Sequence, residues 1–504
     1  MKRLCVLLFG MAGLIISWTL SGYAEPSPEP SPSTVGLGQI EFPTSGKAEA
    51  QSWFIRGALL LHNFQYEDAK EAFLQAQRLD QDFAMAYWGE AMTENHPLWG
   101  EQSLKEGRAI LSRFAATPAS RLAKTPTKRE RGYLQAIEAL YGNADKSARD
   151  QAYADAMRSL AEAFPDDLEA QTLYALALLG SVQGKRDTAV YMKAAAIAEG
   201  VFLNNPQHPG AVHYLIHSYD DPIHAPLGLR AARIYSSLAP AASHAQHMPS
   251  HIFMALGMWK EVITANETAW ASSEARITRK GLTISARPYH TLKWLMYAYL
   301  QAGQRQEAKR VLSIIKEDAQ KTRSVYARGY RASMRAIYMV ETEEWDTSYF
   351  NEDRTGLPLT SAASELFAIG MSAVNTQDFL TAKKALDQLK KRIDPQKIDS
   401  LSQDEVAGLS MTKELEGLIL LQESHALKAL TFLQEAAALE DSLPYDYGPP
   451  IPIKPTHELL GEVYFELNQP EKSKEEFAQA LTRAPERRLS LKGMKQFAQE
   501  KNKD

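Results

Sequence analysis

Residues 206–251 read PQHPGAVHYLIHSYDDPIHAPLGLRAARIYSSLAPAASHAQHMPSH, and seven of the chain's 12 histidines fall there: His208, His213, His217, His224, His244, His247 and His251. His213 and His217 are four residues apart, as are His247 and His251. The second pair follows the first by 34 residues, and Pro240 follows Pro206 by the same interval. Residues four apart share a helix face, about 6 Å from each other. A fixed 34-residue offset places the second pair on the equivalent face of a second, stacked unit. The stretch therefore predicts a two-by-two array of imidazoles on neighbouring helices whose axes lie roughly 8–10 Å apart.

The same period runs outward from it. Trp53, Gly57, Ala69, Phe73 and Ala76 mark a first helical hairpin, and adding 34 reaches Tyr87 and Ala91. Gly461, Tyr464, Ser473, Phe477, Ala480 and Pro485 mark the last one. Between them, units run over Leu134–Pro165, Pro209–Pro240, Ser243–Arg276, Tyr289–Lys321, Ala363–Asp394 and Met411–Ser442. Small residues let two helices approach closely and aromatics fill the space between repeats. Strand signals are almost absent beyond residue 46, where Ala/Leu/Glu/Lys-rich windows with helical apolar spacing dominate. The pattern resembles the tetratricopeptide repeat. That resemblance implies an all-α, right-handed superhelical solenoid of about eight to ten hairpins. The strings AMAYWGEAM, HPLWGEQ, HAQHMPSHIF, GMWKEVITAN and GPPIPIKPTHELLGEVY further resemble an exported bacterial tetratricopeptide-repeat family of no established activity.

The ends and joints divide the chain. Residues 1–24 read as a signal peptide: Met1-Lys2-Arg3 is basic, Leu4–Leu20 is apolar, and Gly22-Tyr23-Ala24 offers small residues for cleavage. Export to the periplasm or outside the cell is expected, with no membrane span after cleavage. The single cysteine, Cys5, falls inside that signal, so the mature chain is expected to hold neither disulfide nor thiolate. Residues 25–46 read as a Pro/Ser-rich linker and 47–100 as N-terminal hairpins. Residues 101–205 read as divergent helical repeats, 206–322 as the histidine-rich repeats and 323–442 as further helical repeats. Residues 443–456, with five prolines in fourteen positions, cannot be helical and read as an extended strap. Residues 457–504 complete the chain as a last hairpin and capping helix. A formal charge of −5 gives no basic face for nucleic acid.

In stacked hairpins the first helices line the concave surface. His213, His217, His247 and His251 fall on first helices, His244 precedes His247 by three, and His290 opens the following first helix, near Lys293 and Tyr297. Asp220 follows His217 by three. His213, His217, His244, His247 and His251 form a candidate site for zinc, copper or nickel, with carboxylates completing or orienting the shell. A competing reading packs the histidines between repeats or sets them against a bound peptide. Pro249 is the test of register: a helix that starts there leaves His244 and His247 in the turn before it and only His251 in place. Catalysis has thin support, since no serine elbow, H-E-x-x-H or phosphate-binding loop is present. His62 and His96 are also 34 apart, which reads either as helix-end capping or as a second polar patch with Asn95 and Trp99; Trp88 is a further groove candidate. Two functions stay open. One is a scaffold binding a protein, peptide or small ligand on a continuous concave groove. The other is a metal-binding protein or metal-dependent enzyme.

Overall fold

The computed structural model describes residues 32–393, 401–445 and 448–500. The expected signal peptide, residues 1–24, lies outside the described residues. Helices follow one another almost without interruption. The first hairpin is α1 (Ala48–His62) with α2 (Tyr66–Leu79), and the second is α3 (Ala84–Met92) with α4 (Leu104–Phe114). Between the helices of the second, β1 (Asn95–His96) pairs with β2 (Glu101–Gln102). A short α5 (Pro118–Lys124) leads to α6 (Lys128–Leu140) with α7 (Lys146–Ala163), then α8 (Leu168–Ser181) with α9 (Thr188–Asn204). The histidine-rich part holds α10 (Pro209–Tyr219) with α11 (Ala225–Leu238), then α12 (Ser243–His247) and α13 (Pro249–Ala255) with α14 (Trp259–Lys280). Next come α15 (Tyr289–Gln301) with α16 (Arg305–Thr322), then α17 (Val325–Thr342). The stack ends with α18 (Leu359–Asn375) and α19 (Phe379–Lys390), α20 (Gln403–Gln422) and α21 (Ala426–Ser442), α22 (Thr456–Glu466) and α23 (Pro470–Arg483), and α24 (Arg488–Glu500). The fold is an all-α helical solenoid, and no described helix is long and apolar enough to cross a membrane.

The small residues read from sequence act as expected of close-packed helices. A Cβ on Gly57 would lie 2.6 Å from the Phe73 ring, and one on Gly89 would lie 2.3 Å from it. At the other end, Gly461 and Gly493 pinch Phe477 in the same way, at 3.0 and 2.3 Å. Phe73 is completely buried, so it has nowhere to retreat. Gly89→Ala is expected to destabilise the protein by about 1–2 kcal/mol, the cost of overpacking less the helix propensity gained. The fall in urea midpoint measures it.

A continuous open groove is not what the hairpins enclose. The inner face between α10 and α15 is covered by the chain's own ends. From the N-terminal side, Phe64 in the α1–α2 loop packs on His213, His217 and His244, with ring centroids 4.3, 6.1 and 5.5 Å away. Asp68 and Glu71 of α2 pair with Arg276 and Lys280 of α14. The stretch read as a linker contributes too: Leu37 and Phe42 are buried, and the Gln39 amide donates to the Gln207 carbonyl (2.9 Å). From the C-terminal side, the proline strap passes over α15, bringing Gly448 against the Trp294 ring (a Cβ there would lie 3.1 Å away). The Trp259 indole donates to the Glu486 carbonyl (3.0 Å).

Candidate metal centre

Proline geometry sets up the site. Pro209 occupies the first turn of α10, where its missing N–H costs nothing, and the His208 imidazole caps that turn by accepting from the Ala211 amide (3.3 Å). Pro249 starts α13, but Met248 keeps helical angles (φ −54°, ψ −37°) and its amide still donates to the His244 carbonyl (3.0 Å). The chain therefore stays helical across the proline, and His247 and His251 remain one turn apart with ring centroids 5.2 Å from each other.

Six histidines gather between α10, α12, α13 and α15 as two triads. His213, His217 and His244 form one; His247, His251 and His290 form the other. Within each triad one potential ligand atom per residue lies within 4.8 Å of the other two. His213, His217, His247 and His251 are buried, while His244 and His290 are half-buried at the rim. Each triad has an aromatic lid. Phe64 covers the first; Trp294 covers the second, 5.0, 4.6 and 5.1 Å from His247, His251 and His290.

Each of the four buried rings makes an outer contact through Nδ1. His213 Nδ1 donates to the His62 carbonyl (2.7 Å). His217 Nδ1 and His251 Nδ1 both approach Asp220 Oδ2, at 3.4 and 3.2 Å. His247 Nδ1 donates to Asn266 Oδ1 (2.6 Å), and the Asn266 amide is oriented by donating to the Val262 carbonyl (2.8 Å). A proton held on Nδ1 puts the ring's lone pair on Nε2, the tautomer in which a metal-bound histidine is fixed by a second contact. His247 Nε2 is buried with no hydrogen-bond partner. His213 Nε2 and His244 Nε2 stand 3.2 Å apart, close to the ~3.3 Å edge of a tetrahedron with zinc–nitrogen bonds.

Electrostatics keep four of the six rings, those of His213, His244, His247 and His290, neutral. Burial, then the neighbouring His217, holds His213 well below the ordinary histidine range. Burial and then His251 bring His247 down to about 3. His244 and His290 are lowered likewise, by burial first and then by His213 and His247 respectively. Neutral imidazole is the ligand form. Burial alone would raise Asp220, but its contacts with His217, His251 and Arg186 outweigh this and hold it below the usual carboxylate range. Arg186 donates to Asp220 Oδ1 at 2.8 Å.

The remaining candidates divide. Lys293 is half-buried one turn from His290 on α15. Tyr297 is buried, with its hydroxyl accepting from Arg487 (3.0 Å), and lines a cavity shared by Asp220, His251 and the strap. Trp88 and Asn95 lie elsewhere. Trp88 is 1% exposed among Phe42, Phe54 and Tyr133, an aromatic core that offers no groove surface. Asn95 is buried and accepts from Gln102 across the β1–β2 pair (3.0 Å). His62 is not an end cap; that role belongs to Asn63, which donates to the Leu59 carbonyl. His62 instead bonds Glu169 (2.8 Å) and Tyr214 (2.9 Å), and His208 approaches the other Glu169 oxygen (3.1 Å). This buried cluster went unread in the sequence, because Glu169 carries no positional signal. His96 stacks on Tyr66, and with Trp99 and Phe64 it lines a vestibule of about 370 Å³ that reaches His244.

The tetratricopeptide repeat family model matches residues 50–83 and 455–487. Similar solved structures include the APC/C hetero-tetramer Cut9–Hcn1, 14% identical over 90% of this chain and 77% of that one, with a TM-score of 0.36. Yeast Tom70 is 10% identical over 77% and 85%, with a TM-score of 0.39. A human IFIT1 dimer with m7Gppp-AAAA is 14% identical over 87% and 90%, with a TM-score of 0.36. No curated protein matched the sequence. The two matched segments cover the first and last hairpins of one stack, where Gly57–Phe73 and Gly461–Phe477 repeat the same contact. Residues 50–83 and 455–487 are thus matched as tetratricopeptide repeats at the two ends of an all-α helical stack.

Proposed function

We propose that this chain is an exported transition-metal-binding protein, in which the repeats form a cage and the six histidines bind copper, zinc or nickel. One observation carries the reading: four buried imidazoles have Nδ1 turned to a carbonyl, a carboxylate or a fixed amide oxygen, which directs their lone pairs to Nε2. Any buried imidazole N–H needs an acceptor, but burial alone does not require that all four rings use Nδ1. The residues fit the group chemically, since imidazole suits all three ions and no thiolate is available among the described residues. The test is elemental analysis of the purified mature protein and of the His213→Ala/His247→Ala double variant. Stoichiometric metal in the first and its loss in the second are expected; a metal-free protein that also fails to bind on titration would sink the proposal.

The scaffold fold also fits a protein-binding role. One observation supports that reading: a cavity of about 330 Å³ on the C-terminal repeats, lined in part by Glu343, Trp345, Met371, Asn375, Glu462 and Lys492. A bound protein segment is proposed there, away from the covered histidines. Cross-linking through Lys492 checks it.

A further inference from the structure

The geometry points to a centre that holds two divalent transition ions, one in each histidine triad. This rests on the metal-binding reading above and goes beyond it in number and arrangement.

The two all-histidine triads share no member, and each grouping close enough to hold an ion contains three residues; a further one, His217, Asp220 and His251, takes one histidine from each triad. A single ion bound by all six would need every ligand atom about 2.0–2.2 Å from one point. Among the described residues no grouping of four or more of these side chains brings its ligand atoms that close together. The two triads are also built alike. Each has two buried histidines four residues apart, anchored through Nδ1, and one half-buried histidine from a different helix. The anchored pairs are related by the 34-residue repeat. Each triad has its own aromatic lid, Phe64 or Trp294. Asp220 Oδ2 touches His217 of one triad and His251 of the other, so a single carboxylate orients one ligand to each ion. Its other oxygen is held by Arg186, which keeps it in that outer role. Three imidazoles satisfy three positions of a tetrahedral ion and leave the fourth for water or a small ligand.

The experiment counts ions. Apoprotein prepared with a chelator is titrated with copper(II), dialysed and analysed for metal per chain, alongside His244→Ala and His290→Ala. These rim residues are chosen because half-buried side chains are the least disruptive to remove. The expected result is two ions in the parent protein and one in each variant. One ion in the parent protein overturns the two-ion centre and leaves the metal-binding reading standing. No ion in the parent protein overturns both, as does a count of two that neither variant changes. Loss of both ions from each single variant, with circular dichroism showing an intact fold, overturns independent sites. The parent protein's count holds whether or not the variants fold.

Discussion

Replacing Arg487 with alanine is expected to lower the stability of the protein by about 3–5 kcal/mol, the range for removing one partner of a buried ion pair. Arg487 is wholly inaccessible to solvent. Its guanidinium bonds both oxygens of Glu458 on α22 (2.8 and 3.0 Å), Glu341 on α17 and the Tyr297 hydroxyl on α15 (3.0 Å). Three elements from different parts of the stack thus meet at one side chain. Removing it leaves two carboxylates that are 0–1% exposed without their main counter-charge. Lys454 still reaches Glu458 at 3.1 Å and compensates only part of the loss. Urea unfolding followed by far-ultraviolet circular dichroism measures the effect. Arg487→Lys should fall between parent and alanine, because an ammonium keeps the charge but not the planar fork. A midpoint unchanged in Arg487→Ala would show that this junction does not hold the fold.

Acid is expected to destabilise the metal-free protein from about pH 6.5 downward. The sign follows from the buried imidazoles. His213, His244, His247 and His290 are all held below the ordinary histidine range, so in the window under 6.5 the unfolded chain binds protons that the folded chain refuses. Stability is at its full value above 6.5 and declines as pH falls, for His247 until about 3. At pH 5 His247 alone accounts for about 2 kcal/mol, and fully buried His213 acts in the same direction. Thermal melts at pH 7.5 and pH 5 should therefore differ strongly. Bound copper or zinc competes with those protons for the same lone pairs, so the loaded protein should hold its melting temperature to lower pH than the metal-free one. Melts that coincide at the two pH values would contradict neutral buried histidines.

The repeat architecture is legible because its signal is local. Gly57, Phe73, Gly461 and Phe477 mark contacts within one hairpin or with its neighbour, and such contacts recur at a fixed spacing. The histidine register is legible for the same reason, and it survives Pro249 because Met248 keeps helical angles and its amide still bonds the His244 carbonyl, so the helical path continues past the proline. What the period does not encode is how distant turns of the stack meet. Phe64 lies 149 to 180 residues before the histidines it covers, and Glu169 is 107 residues from His62. Trp88 looks like groove surface until Phe42 and Tyr133 arrive from either side. The hairpin α8–α9 hides for another reason: α8 is buried on nearly every side, so its apolar residues follow no one-faced pattern.

The covering of the inner face by both ends changes how the stack should behave as a piece of chain. In an open solenoid each repeat leans only on its neighbours, so units can be gained, lost or melted one at a time. Here Asp68 meets Arg276, Trp259 meets Glu486 and Glu341 meets Arg487, pairs separated by 208, 227 and 146 residues. Such ties make the number of repeats a fixed property of the molecule, because inserting or deleting one would pull both ends off the middle. They also impose an order on synthesis. The central chamber gains its last wall only when residues near 487 have emerged, so any ion held there is enclosed by a finished chain.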